Sequence, residues 1–271
     1  MKPRLGAARL AALTLALAAP AWAQDDPRDP WEPFNRKVEA FNTAVDDAAF
    51  KPLAEGYRKV LPDPVRTGVG NFFGNLVDAW SVVNHLLQGK VVSAAQMTLR
   101  VASNTVFGLG GVLDPATEFG LEKQSEDLGQ TLGHWGVPTG PYLVLPLLGP
   151  ANVRDGVARP VDVYAVGLGA WGAEPAVAWG TSGLELVHLR SELLSATNLL
   201  DDIALDRYAF VRDAYLARRR NLVWDGNPPE EDDGDDAAVD EVPPEAPAVP
   251  ASAASAAAPA ETPASAASAP Q

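Results

Sequence analysis

The chain has 271 residues, a formal net charge of −14 and no cysteine. Eleven acidic residues and no basic ones fall from Asp225 onward, so the body is only mildly acidic. Neither part offers the basic face that a nucleic-acid partner requires, and disulfides and thiolate metal sites are excluded.

Lys2, Arg4 and Arg9 precede the apolar run Leu10 to Ala19, and Ala21-Trp22-Ala23 stands before Gln24. A basic end, a short apolar core and an A-x-A site define a cleavable secretory signal over residues 1–23. The mature chain is expected to begin at Gln24. Beyond it no apolar run reaches the ~18 residues of a spanning helix. Any membrane contact then falls to amphipathic elements lying on the surface.

Asp29-Pro30-Trp31-Glu32-Pro33 is an extended entry, because each proline turns the preceding residue away from helix. Phe34, Val38, Phe41 and Val45 form the stripe of a first amphipathic helix. Lys51-Pro52 and Leu61-Pro62 bracket a shorter one. Asp63 is placed to cap a long helix that opens on Pro64. Its stripe runs through Val65, Val69, Phe72, Phe73, Leu76, Trp80, Val83 and Leu87. Gly89-Lys90 then turns into an antiparallel helix carrying Val91, Ala95, Leu99, Ala102 and Val106, ended by Gly108, Gly110 and Gly111. Such stripes serve either a dry core or a membrane face. The aromatics Trp31, Phe34, Phe41, Phe72, Phe73, Trp80, Trp135 and Tyr142 suit an interfacial belt.

Asp127 to Pro150 is the centre of the chain. Between Gly129 and Pro150, nine of 22 positions are Gly or Pro. That density forbids a long helix, yet Leu132, Trp135, Val137, Tyr142, Leu143, Val144, Leu145, Leu147 and Leu148 make the segment apolar. It is expected to be irregular and held by surrounding helices, with a helix over Ser125 to Trp135 interrupted at Gly129 and Gly133. Val153 to Val161 and Glu174 to Leu194 follow as helices. Asp201 to Arg220 is the last, with Asp201 and Asp202 at its start and Arg218, Arg219 and Arg220 at its end, matching the helix dipole. After Trp224 an acidic run leads into Ala, Pro and Ser, a composition that cannot offset the entropy of ordering. Residues 225–271 are expected to be a disordered tail.

Gly167-Leu168-Gly169-Ala170-Trp171-Gly172 matches a dinucleotide fingerprint, but Pro175 arrives where a helix should open and no strand–helix alternation surrounds it. It is a glycine connection. His188 and Glu192 are spaced as two metal ligands on one helix face, without a third; a solvated or capping pair is the simpler reading. Asp127, Asp155 and Asp162 could serve acid–base work, but Asp155 beside Arg154 and Arg159 is more simply an ion pair. No nucleophile elbow is present. Catalytic, cofactor and metal residues are therefore all expected to be absent.

DPWEPFNRKVEAFN from Asp29, NHLLQG from Asn84, NTVFGLGGVLDPAT from Asn104, DLGQTLGHWGVPTGPYLVLPLLGP from Asp127 and RDAYLARRR from Arg212 resemble the MlaA/VacJ family of outer-membrane lipoproteins. The resemblance runs in order from Asp29 to about Trp224. It implies an all-α single domain over residues 24–224, whose amphipathic helices form a ring or disc in the inner face of the outer membrane. The implied function is phospholipid transport that maintains lipid asymmetry. Misplaced phospholipid leaves the outer leaflet for a periplasmic lipid carrier serving an ABC transporter, commonly beside porin trimers. The chain departs from the family at the cleavage site, where Gln24 stands in place of the usual lipobox cysteine; membrane binding is then expected from the embedded helices alone. Asn35, Arg36 and Asn42, opposite the Phe34–Phe41 stripe, are candidates for the lipid path, or else solvated and capping groups. The rival reading is a periplasmic scaffold that keeps the fold without inserting, its acidic tail engaging basic partners. A phospholipid hydrolase using His134 is a third.

Overall fold

The computed structural model describes residues 26–229. The signal at 1–23 and the tail beyond 229 lie outside the described residues. The described chain is helical throughout, with one short hairpin. In order it runs α1 (Glu32–Val45), a π-turn (Asp46–Phe50), α2 (Lys51–Val60), α3 (Asp63–Leu87), α4 (Val91–Val106), α5 (Pro115–Glu118) and α6 (Leu128–His134). There follow β1 (Tyr142–Leu145), β2 (Gly149–Asn152), α7 (Val153–Val166), a 3-10 turn (Leu168–Trp171), α8 (Pro175–Ile203) and α9 (Arg207–Val223). The all-α class stands, and no described helix is long and apolar enough to cross a membrane.

α3 and α4 form the antiparallel pair expected around Gly89, whose φ of 74° closes the turn. α2 packs on α8, and α6 on α7. The glycine-rich 167–172 segment is the connection between α7 and α8, with Gly172 left-handed. Asp63 begins α3 instead of capping it, and pairs with Arg66 three residues on. The last helix is shorter than expected. Asp201 and Asp202 close α8, and Asp206 caps α9 by accepting from the Ala209 amide at 3.2 Å.

The central segment is more regular than its composition suggests. α6 runs unbroken through Gly129 and Gly133, which admit close packing instead of stopping the helix. A Cβ at Gly133 would lie 2.6 Å from an Arg154 guanidinium nitrogen and 2.8 Å from a Val223 methyl. Beyond it, Tyr142 to Leu145 pair antiparallel with Gly149 to Asn152, turning at Leu147, whose φ is 63°. Gly133→Ala is therefore expected to lower the melting temperature although alanine is the better helix former by about 1 kcal/mol. Gly56→Ala in α2, where nothing lies within 4 Å of the new methyl, is expected to raise it. Thermal unfolding of the two variants checks both signs.

Burial runs against the usual rule. α3 turns Asn75, Asp78, Ser81, Asn84 and His85 inward, followed by Gln88 at its C-cap, while Val65, Val83 and Leu87 on the same helix are exposed. Buried polar side chains outnumber buried apolar ones among the described residues, and the one packed apolar cluster is Tyr142, Val144 and Tyr208. Large apolar residues cover the outside instead: Phe41 is 52% exposed, Trp179 79% and Val92 83%. The interior is held by hydrogen bonds and ion pairs.

Candidate lipid-contacting surface and its polar scaffold

Four buried networks hold the helices. In the first, Arg100 of α4 donates to Asp78 of α3 at 3.0 Å, to the Thr117 hydroxyl at 3.0 Å and to the Leu121 carbonyl at 2.6 Å, and pairs with Asp114. Lys123 adds a second cation on Asp78 at 3.2 Å. In the second, Gln88 donates to Glu126 at 2.9 Å and to Thr131 at 3.0 Å, while Thr131 donates to Asn84 at 2.8 Å. The third joins α6, α7 and α9: Arg219 contacts Asp127 and Asp155, and Asp155 also accepts from Asn152 and Tyr215. The fourth gathers Asp29, Asn35, Tyr208 and Arg212 around the entry segment. A buried charge or amide is tolerated only when paired in this way.

The three sequence candidates sit on α1 beside the hairpin. Asn35, fully buried, donates to Asp29 at 2.8 Å and to the Tyr142 carbonyl at 3.2 Å, and accepts from the Val144 amide at 2.9 Å. Asn42, seven residues on, donates to the Leu145 carbonyl at 3.0 Å and accepts from the Leu147 amide at 2.7 Å. Two side-chain amides thus stand in for a third strand along β1. Arg36 pairs with Glu32 and Asp206, both at 2.7 Å, and stacks on the Tyr208 ring 4.3 Å from its centre.

The remaining motif residues are structural in their surroundings. His188 is buried, with the Tyr57 hydroxyl 3.2 Å from Nδ1, and is not the solvated group expected from its spacing. Glu192 meets Arg66 at 3.4 Å. Asp162 accepts from the Trp80 indole at 2.8 Å and the Leu128 amide at 2.9 Å. No group of residues able to hold a metal occurs among the described residues.

Arginines depress several carboxylates. The hydrogen bond from Arg36 brings Asp206 down to about 2. Burial pushes Asp127 up, but Arg219 more than reverses it and holds the carboxyl below its ordinary range. Burial alone raises Glu185, and it raises Glu39 and Asp162 against their partners. A depressed carboxylate stabilises the fold fully above its unfolded pKa of about 4, and that contribution is lost as pH falls through the lower folded value. Asp127→Asn should accordingly flatten the fall in melting temperature between pH 4 and pH 2, relative to the parent chain.

Two grooves in the outer face have apolar walls. One, of about 470 Å³, lies between α3 and α8 and is lined by Val65, Gly68, Val69, Phe72, Val112 and Leu184, among others. The second, of about 430 Å³, lies between α1, the hairpin and α7, lined by Trp31, Phe34, Leu143, Leu145, Val153 and Val157. Their size is that of small-molecule sites, and their walls suit hydrocarbon.

The described residues combine a hydrogen-bonded interior with an apolar exterior, and none of their helices is long and apolar enough to cross a membrane; such a surface suits a membrane interface. The MlaA lipoprotein family model matches residues 27–222, and the chain belongs to that family. The Escherichia coli K12 protein "Intermembrane phospholipid transport system lipoprotein MlaA" is 34% identical over 89% of this chain and 98% of its own length. A Rickettsia prowazekii protein is 41% identical over 51% of the chain, and that alignment spans only 55% of the relative. A solved structure described as "Structural basis for maintenance of bacterial outer membrane lipid asymmetry" superposes with a TM-score of 0.60 at 31% identity, covering 72% of this chain and 98% of that one.

Proposed function

We infer that the protein moves phospholipid at the outer membrane, taking misplaced molecules from the outer leaflet and passing them to a periplasmic carrier. The observation that carries this reading is the inverted burial: apolar side chains outside, paired polar groups within. Acyl chains can stay in hydrocarbon while a charged headgroup cannot. Even one charged side chain at mid-bilayer costs about 2.5–3.5 kcal/mol on insertion scales. Helices ringing a wet path, with apolar rims holding the bilayer, would carry the headgroup past that barrier. The names of the Escherichia coli relative and of the solved neighbour concern the same process.

On this reading the chain lies on the periplasmic side of the outer membrane, held by its surface helices without an acylated cysteine. Porin trimers and the carrier of an ABC transport system are its partners. It acts by passage of lipid, without covalent chemistry. Arg36 and Asn42 border the path, and Asn35 and Asn42 shape it by clasping β1.

The test is lipid asymmetry in cells lacking the gene and complemented with variants. The wild-type gene restores a low outer-leaflet phospholipid content. Asn42→Leu removes both bonds to the β1–β2 hairpin and is expected to leave surface phospholipid several-fold higher at equal protein level. Full complementation by Asn42→Leu would remove the clasp from the mechanism, and failure of the wild-type gene would remove the transport reading.

A further inference from the structure

The α3–α8 groove has a charged neighbour that no group among the described residues pairs with. Glu185 follows Leu184 and comes four residues after Thr181, both of which line the groove. Residues four apart on a helix share a face, so Glu185, though not one of the lining residues, lies one turn along α8 from Thr181 on the groove side. It is half-buried and makes no hydrogen bond or ion pair among the described residues. Two other ionised groups of α8 are matched: Arg190 grips Asp46 at 2.7 Å, and Glu192 meets Arg66. No Lys or Arg occurs in sequence between Arg159 and Arg190, so neighbouring chain supplies no counter-charge. Burial raises the carboxyl above the ordinary glutamate range, as expected of an acid lacking a partner.

Resting on the lipid-transport reading, we propose that Glu185 and the α3–α8 groove form a binding site for a phospholipid with an ammonium headgroup. One acyl chain lies along Val65, Val69, Phe72 and Leu184, and the headgroup amine supplies the cation that Glu185 lacks. Charge complementarity selects the occupant. A zwitterionic amine lipid brings a donor to the carboxylate, whereas an anionic glycerol headgroup brings only hydroxyls and an unmatched phosphate. Such a site gives the transporter a headgroup preference at its outer surface.

The test uses the full-length protein in mild detergent doped with equal phosphatidylethanolamine and phosphatidylglycerol of identical chains, with bound lipid counted by native mass spectrometry. Wild type is expected to take phosphatidylethanolamine several-fold over phosphatidylglycerol. Glu185→Gln, nearly isosteric, is expected to bring that ratio close to one with the melting temperature unchanged. Leu184→Trp, which fills the groove, should lower the occupancy of both lipids. Bound lipid without a headgroup preference in wild type, or a preference that survives Glu185→Gln, overturns the inference while leaving transport standing. A phosphatidylglycerol preference that needs magnesium and vanishes with chelator also overturns it, since the carboxylate would then bridge to phosphate through a metal. Absence of both lipids from the wild-type protein overturns the inference and the transport reading together.

Discussion

Arg100→Ala is expected to lower the melting temperature by roughly 10 °C. Arg100 is 4% exposed, and its guanidinium ties α4 to Asp78 on α3 and to Asp114 at the head of α5. Its removal strands the Asp78 carboxylate, itself 1% exposed, with only Lys123 beside it. Breaking a buried pair from one side costs about 3–5 kcal/mol, because the remaining charge keeps its desolvation penalty without its partner. In a domain of this size each kcal/mol moves the midpoint by about 2–4 °C. Arg100→Lys keeps the charge but cannot reach Asp78, Thr117, Leu121 and Asp114 together, so it should fall between. Thermal unfolding by circular dichroism ranks the three proteins, and equal midpoints would show that the networks do not hold the helices.

Val177→Lys with Trp179→Lys changes two residues of α8 that are already exposed. In water such surface changes stay within about 0.5 kcal/mol each. Against hydrocarbon each lysine costs up to about 2.5–3.5 kcal/mol, less if it reaches the headgroups. The doubly substituted protein should therefore leave the outer-membrane fraction for the periplasmic one while its melting temperature hardly moves. Density-gradient fractionation reads this directly. An unchanged distribution would mean that α8 does not face lipid.

Much of the helix order is legible in the sequence because each helix has a period and an end. The Gly89 turn, the α3–α4 pair and the α7–α8 connection all follow from local signals. What fails to show is which face is inside. On α3 the residues Asn75, Asp78, Ser81 and Asn84, with Gln88 at the C-cap, repeat with the helix just as the apolar stripe does. A polar stripe reads as solvated unless its partners are known. Those partners, Arg100, Glu126 and Thr131, come from later in the chain. The hairpin is hidden for the same reason. Four-residue strands among glycines and prolines carry little local preference, and their edge is held by Asn35 and Asn42 from about a hundred residues away. The glycines of α6 look like breaks because their cause lies across the packing interface, in Asp155 and Arg219 for Gly129 and in Arg154 and Val223 for Gly133. Asp201-Asp202 competes as a helix start, and only the Asp206 cap shows where α9 begins. The quoted motifs supply Asn84, Gln88, Asp114, Asp127, Thr131, Arg212 and Arg219, so the resemblance marks the buried networks that periodicity misreads.

The apolar outer surface is expected to meet acyl chains. The chain has no cysteine, so single cysteines can be placed without background. Spin labels at Val92, Trp179 and Leu193, all exposed, would report their surroundings in reconstituted outer-membrane lipid. Faster relaxation by oxygen than by a water-soluble nickel chelate at these positions is the result predicted; preferential relaxation by the chelate at all three would contradict it.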